Sequence, residues 1–210
     1  MTIQQINKVE QTLNALHLDA KKDIFRVGKG IAKSIFRPIQ PIDFENVYMP
    51  ISKQQGQDIR QLIIENNCQQ IVEFGTSFGI STIYLADAAQ QTGGKVVTTE
   101  LLESKAQKAL KNIEAAGLQA YVDVRIGDAM KTLKEEVTPI DFLFLDGWKN
   151  LYLPLFQMLA PRFHESTLIY ADNMDMAGTA PYADYILKNN MKYASKFVHQ
   201  GKGVLTQVIT

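Results

Sequence analysis

The chain has 210 residues, 46% hydrophobic and 21% charged. That is ordinary soluble globular composition, long enough for one domain with a full core. Its 22 Lys+Arg balance 22 Asp+Glu, so no global basic field recruits nucleic acid or anionic membrane. One cysteine, Cys68, excludes an intrachain disulfide and a multi-cysteine metal site.

No secretory signal and no apolar run of roughly 18 residues is present, so a cytoplasmic protein with no membrane partner is expected. Ile3, Ile6, Val9, Leu13 and Leu16 recur at helical spacing and predict an amphipathic helix over 2–17. Asp19 is a candidate cap for a second helix to about Arg37, with Lys21, Lys22, Arg26, Lys29, Lys33 and Arg37 as a solvated or partner-facing basic set. Pro38 and Pro41 then break helix, and 39–50 reads as an irregular linker or flap. Residues 1–50 are accordingly expected as an N-terminal helical extension and flap, and 51–210 as the main domain.

Ser52 caps a predicted helix over 53–66. Strands and helices then alternate. Short apolar strands are expected at 71–74, 96–99, 122–126, 142–145 and 167–170. Helices are expected at 80–90, 104–116, 129–135, 151–160 and 180–189. Two last strands, 192–198 and 203–209, joined by Gln200-Gly-Lys-Gly203, make a hairpin, so one of them is antiparallel. The pattern predicts an α/β, doubly wound, mostly parallel sheet with helices on both faces.

Candidate site residues fall at strand ends. Glu73-Phe-Gly-Thr-Ser-Phe-Gly79 turns the first strand into its helix, with Gly75 for the tight turn and Gly79 for close backbone approach. The spacing is not G-x-G-x-x-G, which disfavours a pyrophosphate cradle and a nicotinamide cofactor. Glu100, past the second strand, is placed to accept both hydroxyls of a ribose, and Gly127-Asp128-Ala129 to read an adenine edge. Asp146 ends a buried apolar run, with Lys149 and Tyr152 just beyond; Asp172 and Asn173 end the next run. Three hard oxygen ligands suit Mg²⁺, with Ca²⁺ or Mn²⁺ as alternatives, and no histidine stands near for zinc. Lys149, beside that acidic strand end, is the candidate base.

Glu73–Ser81, Glu100, Gly127–Ala129, Asp146–Tyr152 and Asp172–Asn173 together resemble the class I S-adenosylmethionine-dependent O-methyltransferases, in particular the metal-dependent catechol and caffeoyl-CoA enzymes. The likeness covers about 49–209 and is strongest over Leu145–Pro154 and Tyr170–Asn173. It implies a seven-stranded Rossmann-like methyltransferase fold with the last strand antiparallel. It implies S-adenosyl-L-methionine as cofactor, with Glu73 and Ser81 at its methionine end, Glu100 at its ribose, and Met49, Ile80 and Asp146 in the same pocket. Trp148 and Met174 would wall a small aromatic acceptor.

Three positions depart from the catechol pattern. Gly147 replaces a histidine and is expected to open space near the metal. Ala177 stands where a proline is frequent. Lys196 stands roughly where an acidic residue binds the second hydroxyl, and would favour a carboxylate-bearing substrate. The first expectation is a metal-dependent O-methyltransferase for a catechol-type aromatic. The alternative is the same fold modifying a hydroxylated tRNA base, with the basic N-terminal helix and Lys188, Lys192, Lys196 and Lys202 facing phosphate. The N-terminal helices would pack over the pocket or across a homodimer.

Overall fold

The computed structural model describes residues 3–23, 25–27, 40–135 and 138–210. Helix α1 (Ile3–Ala20) buries Val9, Leu13, Leu16 and Ala20 along one stripe. It runs past the expected end at 17 because Ala20 continues that stripe. Asp19 therefore lies inside α1 rather than capping a second helix, and its carboxylate takes Lys22 and Arg26 instead. Asp23 and 25–27 are helical, while the rest of the expected basic helix, Lys29, Lys33 and Arg37 included, lies outside the described residues. Gln5 on α1 donates to the carbonyls of Ala116 and Gly117, satisfying the end of a later helix.

From Lys53 onward the chain alternates as expected. Helix α2 (Lys53–Glu65) starts on Ser52, whose Oγ accepts from Gln55 N at 3.1 Å. Then come β1 (Gln70–Phe74), α3 (Ile80–Thr92), β2 (Lys95–Glu100) and α4 (Glu103–Ala115). Strand β3 (Val122–Ile126) leads to α5, which is only Ala129–Thr132 and shorter than the expected 129–135. Strand β4 (Ile140–Leu145), α6 (Tyr152–Leu159), β5 (Phe163–Ala171) and α7 (Ala180–Lys188) follow. The chain closes with β6 (Tyr193–Val198) and β7 (Gly203–Val208).

The seven strands form one sheet in the order β3-β2-β1-β4-β5-β7-β6. Pairings β1–β2, β2–β3, β1–β4 and β4–β5 are parallel, and β7 runs antiparallel to both β5 and β6. The reversed strand is thus the last, inserted one place in from the edge. The order reverses between β1 and β4, which makes the crevice at their carboxyl ends the switch point where ligands bind in open α/β sheets.

Two cores flank the sheet. One packs α1, α2, α3 and α4 on residues such as Ile71, Val96, Phe142, Phe144 and Tyr170. The other packs α6 and α7 on Val72, Leu143, Ile169 and Val204. Alternation along each strand sends successive side chains to opposite faces, so strands buried on both sides read as continuous apolar runs. Phe156 centres the second core, within 5.3–5.9 Å of the rings of Phe163, Tyr182, Tyr185 and Tyr193. It is fully buried. Phe156→Ala is expected to lower stability by about 3–5 kcal/mol, read as a lower urea midpoint with an unchanged slope.

Candidate active site

The site is assembled at the ends of β1, β2, β4 and β5. Leu145 and Ala171 are the last paired residues of β4 and β5. Asp146 and Asp172 are the next residue on each strand, and Asp172 N still donates to Leu145 O at 3.0 Å. Neighbouring strands lie about 4.8 Å apart, so pairing alone brings these two carboxylates together. Asp146 N in turn donates to Phe74 O at 2.9 Å, linking the site to β1. Asn173 adopts φ +55, the left-handed turn that an Asn tolerates best after Gly.

Lys149 Nζ lies 3.2 Å from Asp146 Oδ1 and donates to the Tyr152 hydroxyl at 2.9 Å. That hydroxyl donates to the Asp172 carbonyl at 3.1 Å. One chain of polar contacts therefore runs from the first acidic loop through the lysine and tyrosine to the second. Gln55, buried on α2, donates to Asp172 Oδ1 at 2.7 Å and to the Tyr170 hydroxyl at 3.2 Å. Burial pushes the Asp146 carboxyl up to about 7; the Lys149 charge opposes this and the Asp172 carboxylate reinforces it. Asp172 is thus close enough to act on the Asp146 carboxyl, and Lys149 is the cation set against it.

Among the described residues no group of three or more His, Cys, Asp or Glu is arranged to hold a metal ion. The expected donors are two carboxylates and one carboxamide. Their hard oxygens suit Mg²⁺ or Ca²⁺ provided water or substrate completes the shell.

Across β1 lies the second half of the site. Gly75 adopts φ +107, and a Cβ there would stand 2.8 Å from the Asp146 carbonyl and the Gly147 Cα. Only glycine allows the two loops to touch. Glu73 is fully buried; its Oε2 accepts from Thr82 at 2.5 Å and Thr98 at 2.6 Å. Burial raises its carboxyl, and hydrogen bonds from Ser81, Thr82 and Thr98 oppose the rise. Its Oε1 is buried with no hydrogen-bond partner among the described residues. An orphaned acceptor at this turn fits a ligand that brings a donor, such as an ammonium.

Glu100 is buried at the end of β2, and its two oxygens accept from Ser77 N at 2.8 Å and Leu102 N at 2.9 Å. A carboxylate has lone pairs left for further hydroxyl donors. Gly127 has φ +129, and its N–H donates to Glu100 O. Asp128 caps α5 by accepting from Met130 N at 3.0 Å, next to buried Ala129. Met49, 57% exposed, and Trp148, 40% exposed, are apolar surface near these loops in the chain, and Met174 packs partly buried beside Asn173.

Gly147 does not open space. A Cβ there would stand 2.5–2.7 Å from the Phe74 ring, which occupies the room. Lys196 lines a groove of about 330 Å³ with Asp58, Tyr170 and His199. A larger surface cavity of about 400 Å³, lined by Pro139 and Phe163, lies at the opposite ends of the strands and away from these groups. His17, His164 and His199 stay dispersed, the last two near Asp141 and Asp58 respectively. Gln55 is a polar contact that sequence reasoning missed, and Tyr152, singled out beside Lys149, was given no hydroxyl contact there. The signal for Gln55 was a polar residue one turn before Ile59 on the apolar face of α2; for Tyr152, it was the three-residue spacing from Lys149.

Residues 41–200 match the family model described as O-methyltransferase. A catechol O-methyltransferase of Niastella koreensis is 35% identical over 128 residues, 59% of this chain and 58% of the relative. That of Bos taurus is 28% identical over 176 residues, 80% of this chain and 64% of the relative. The chain thus spans about three fifths of the length of these curated relatives. Among solved structures, an O-methyltransferase from Bacillus cereus in complex with SAH superposes with a TM-score of 0.70 at 24% identity, covering 97% of this chain and 91% of that one. An O-methyltransferase of tomaymycin synthesis from Streptomyces achromogenes, solved with SAM, gives 0.67 at 20% identity, covering 88% and 90%. These structures share the fold. With the family model matched over most of its length, the chain belongs to the O-methyltransferase family.

Proposed function

We propose that this protein transfers the methyl group of S-adenosyl-L-methionine to one hydroxyl of a small vicinal dihydroxy-aromatic, with a divalent cation, Mg²⁺ by donor chemistry, held by Asp146, Asp172 and Asn173. The observation that carries the reading is the pair of acidic strand ends joined through Lys149 and Tyr152, one glycine contact away from the Glu73–Gly79 loop. Family membership and the names of the relatives support the same chemistry.

In this reading Glu100 accepts the ribose hydroxyls of the donor, and Glu73, with its unpartnered oxygen, and Ser81 serve its methionine end. S-adenosyl-L-methionine held there would supply an electrophilic methyl on a sulfonium, whose sulfur can depart as a neutral thioether. A divalent cation held by Asp146, Asp172 and Asn173 would supply Lewis-acid stabilisation of charge on the acceptor oxygen. Lys149, in its neutral amine form, would take the hydroxyl proton and become the ammonium that Tyr152 and Asp146 hold in place. Trp148 and Met174 wall the ring, and the loops align acceptor and methyl so that the reaction needs little further ordering.

The test is methyl transfer from labelled donor to plain catechol and to caffeate, with and without EDTA. Transfer that disappears in EDTA and returns with Mg²⁺ is the expected result; full activity in EDTA would remove the metal from the reaction. Lys149→Ala is expected to lower kcat by about 10²–10⁴ while calorimetry finds S-adenosylhomocysteine binding unchanged. Lys196→Ala is expected to raise KM for caffeate and leave plain catechol alone, since an ammonium on that groove serves only a substrate with a carboxylate. Equal effects on both substrates would take Lys196 out of acceptor selection.

A further inference from the structure

Lys105 is buried, at 5% exposure, on the first turns of α4. Lysines are almost never that deep unless the ammonium is satisfied. Here Nζ donates to the Val47 carbonyl at 3.0 Å and to Ser77 Oγ at 3.3 Å, both neutral oxygens. Burial pulls its proton affinity down, while Glu100 and Asp23 nearby push it up. Its stem end also stands over Phe78, with Nζ 5.3 Å from the ring centre.

The two acceptors belong to different parts of the molecule. Val47 is in the strap that leads from the N-terminal segment into α2; Ser77 is in the turn after β1. The strap is tied at each residue. Tyr48 N and Met49 N both donate to Asp23 Oδ2, at 2.8 and 2.9 Å. Tyr48 O accepts from Ser77 Oγ at 3.0 Å. The Tyr48 ring stacks on Phe78 with centroids 4.2 Å apart, and the Arg26 guanidinium lies 5.2 Å from its centre. Met49 sits at φ +46, a conformation that side-chain-bearing residues keep only when their surroundings over-determine it. Ser77 N, in turn, donates to Glu100 Oε2.

We propose that Lys105 is a positioning residue for methyl-donor binding: its ammonium fastens the Val47–Met49 strap to the Ser77–Phe78 turn and so holds Met49 and Glu100 in their donor-receiving positions. The inference rests on the methyl-donor reading above. Lys105 itself does not touch the reacting atoms. Without it the Val47 carbonyl, on a residue 1% exposed, loses its donor, and lifting the strap into water is the way to recover one. A pocket open for part of the time binds its ligand more weakly in proportion to the closed fraction.

The experiment titrates S-adenosylhomocysteine into wild type, Lys105→Met, Lys105→Arg and Asp23→Asn by calorimetry, with melting temperatures and amide exchange at Tyr48 and Met49 measured alongside. Lys105→Met is expected to weaken binding about tenfold, to raise donor KM with kcat at saturating donor retained, and to speed exchange at both amides. Lys105→Arg, which keeps a cation, recovers part of the affinity. Asp23→Asn loosens the same strap from its far side and keeps the question decidable if Lys105→Met folds poorly. Wild-type affinity and wild-type exchange in a well-folded Lys105→Met, or in Asp23→Asn where Lys105→Met is unfolded, would overturn the tie. Absence of binding to wild type would instead reject the donor reading, and the exchange rates would still decide whether the strap depends on Lys105.

Discussion

The site depends on one backbone contact, that of Gly75 with the Asp146–Gly147 peptide. A single methyl group at Gly75 would meet the Asp146 carbonyl and Gly147 backbone at 2.8 Å, so any other residue would push the loops after β1 and β4 apart. The Asp146 N–H then bonds the Phe74 carbonyl, and Gly75 and Thr76 donate to Thr99 O on β2. Three strand ends are fastened in series. Glu73 and Glu100 stand on one side of this seam and Asp146 and Lys149 on the other, so the sheet sets the spacing between the two groups. Loops anchored in this way need little ordering when ligands arrive, which is where alignment of reacting groups gains most of its rate.

The second constraint is charge. Glu73, Asp146, Asp172 and Glu100 are four carboxylates gathered at the carboxyl ends of adjacent strands in a chain whose formal charge is zero. Each is held differently: Glu73 by threonine hydroxyls, Glu100 by backbone N–H groups, Asp172 by Gln55, Asp146 by Lys149. Asp146 has the Lys149 ammonium against it, and burial still raises its carboxyl. Hydrogen bonds from neutral donors satisfy lone pairs but leave the negative field in place. Such a field is complementary to cationic ligands, whether a sulfonium or a divalent metal, and its focusing in a crevice draws them in.

The fold was legible because its signals are local and periodic. Apolar strands at the β1, β2, β4 and β5 positions, each followed by a helical repeat, leave little alternative to a doubly wound parallel sheet, and the Gly201–Gly203 link marked the reversed strand. Asp146, Lys149 and Asp172 were legible because strand ends in such a sheet share one edge. What sequence could not supply were contacts between elements remote in the chain. Gln55 reaches Asp172 across 117 positions, and Lys105 reaches Val47 across 58. No spacing rule connects such pairs, and a lysine on an amphipathic helix reads as solvated until the strap is seen lying over it. The end of α1 was misjudged for a different reason: Asp19 looks like a cap, yet burial of Ala20 outweighs the capping preference.

Gly147 illustrates how volume is filled from a neighbouring strand. A glycine beside the acidic loop suggests vacant room, but the Phe74 ring fills it from the neighbouring strand. That ring then meets Tyr152 edge-on, with centroids 6.3 Å apart, and Tyr152 is the residue whose hydroxyl holds Lys149. The space beside Gly147 is thus filled by a ring that packs on the tyrosine holding the lysine. Enlarging 147 would displace Phe74, disturb Tyr152 and move the Lys149 amine, even though residue 147 carries no functional group. Lys196 lies elsewhere, in a groove that it shares with Tyr170, whose hydroxyl accepts from the same Gln55 that holds Asp172.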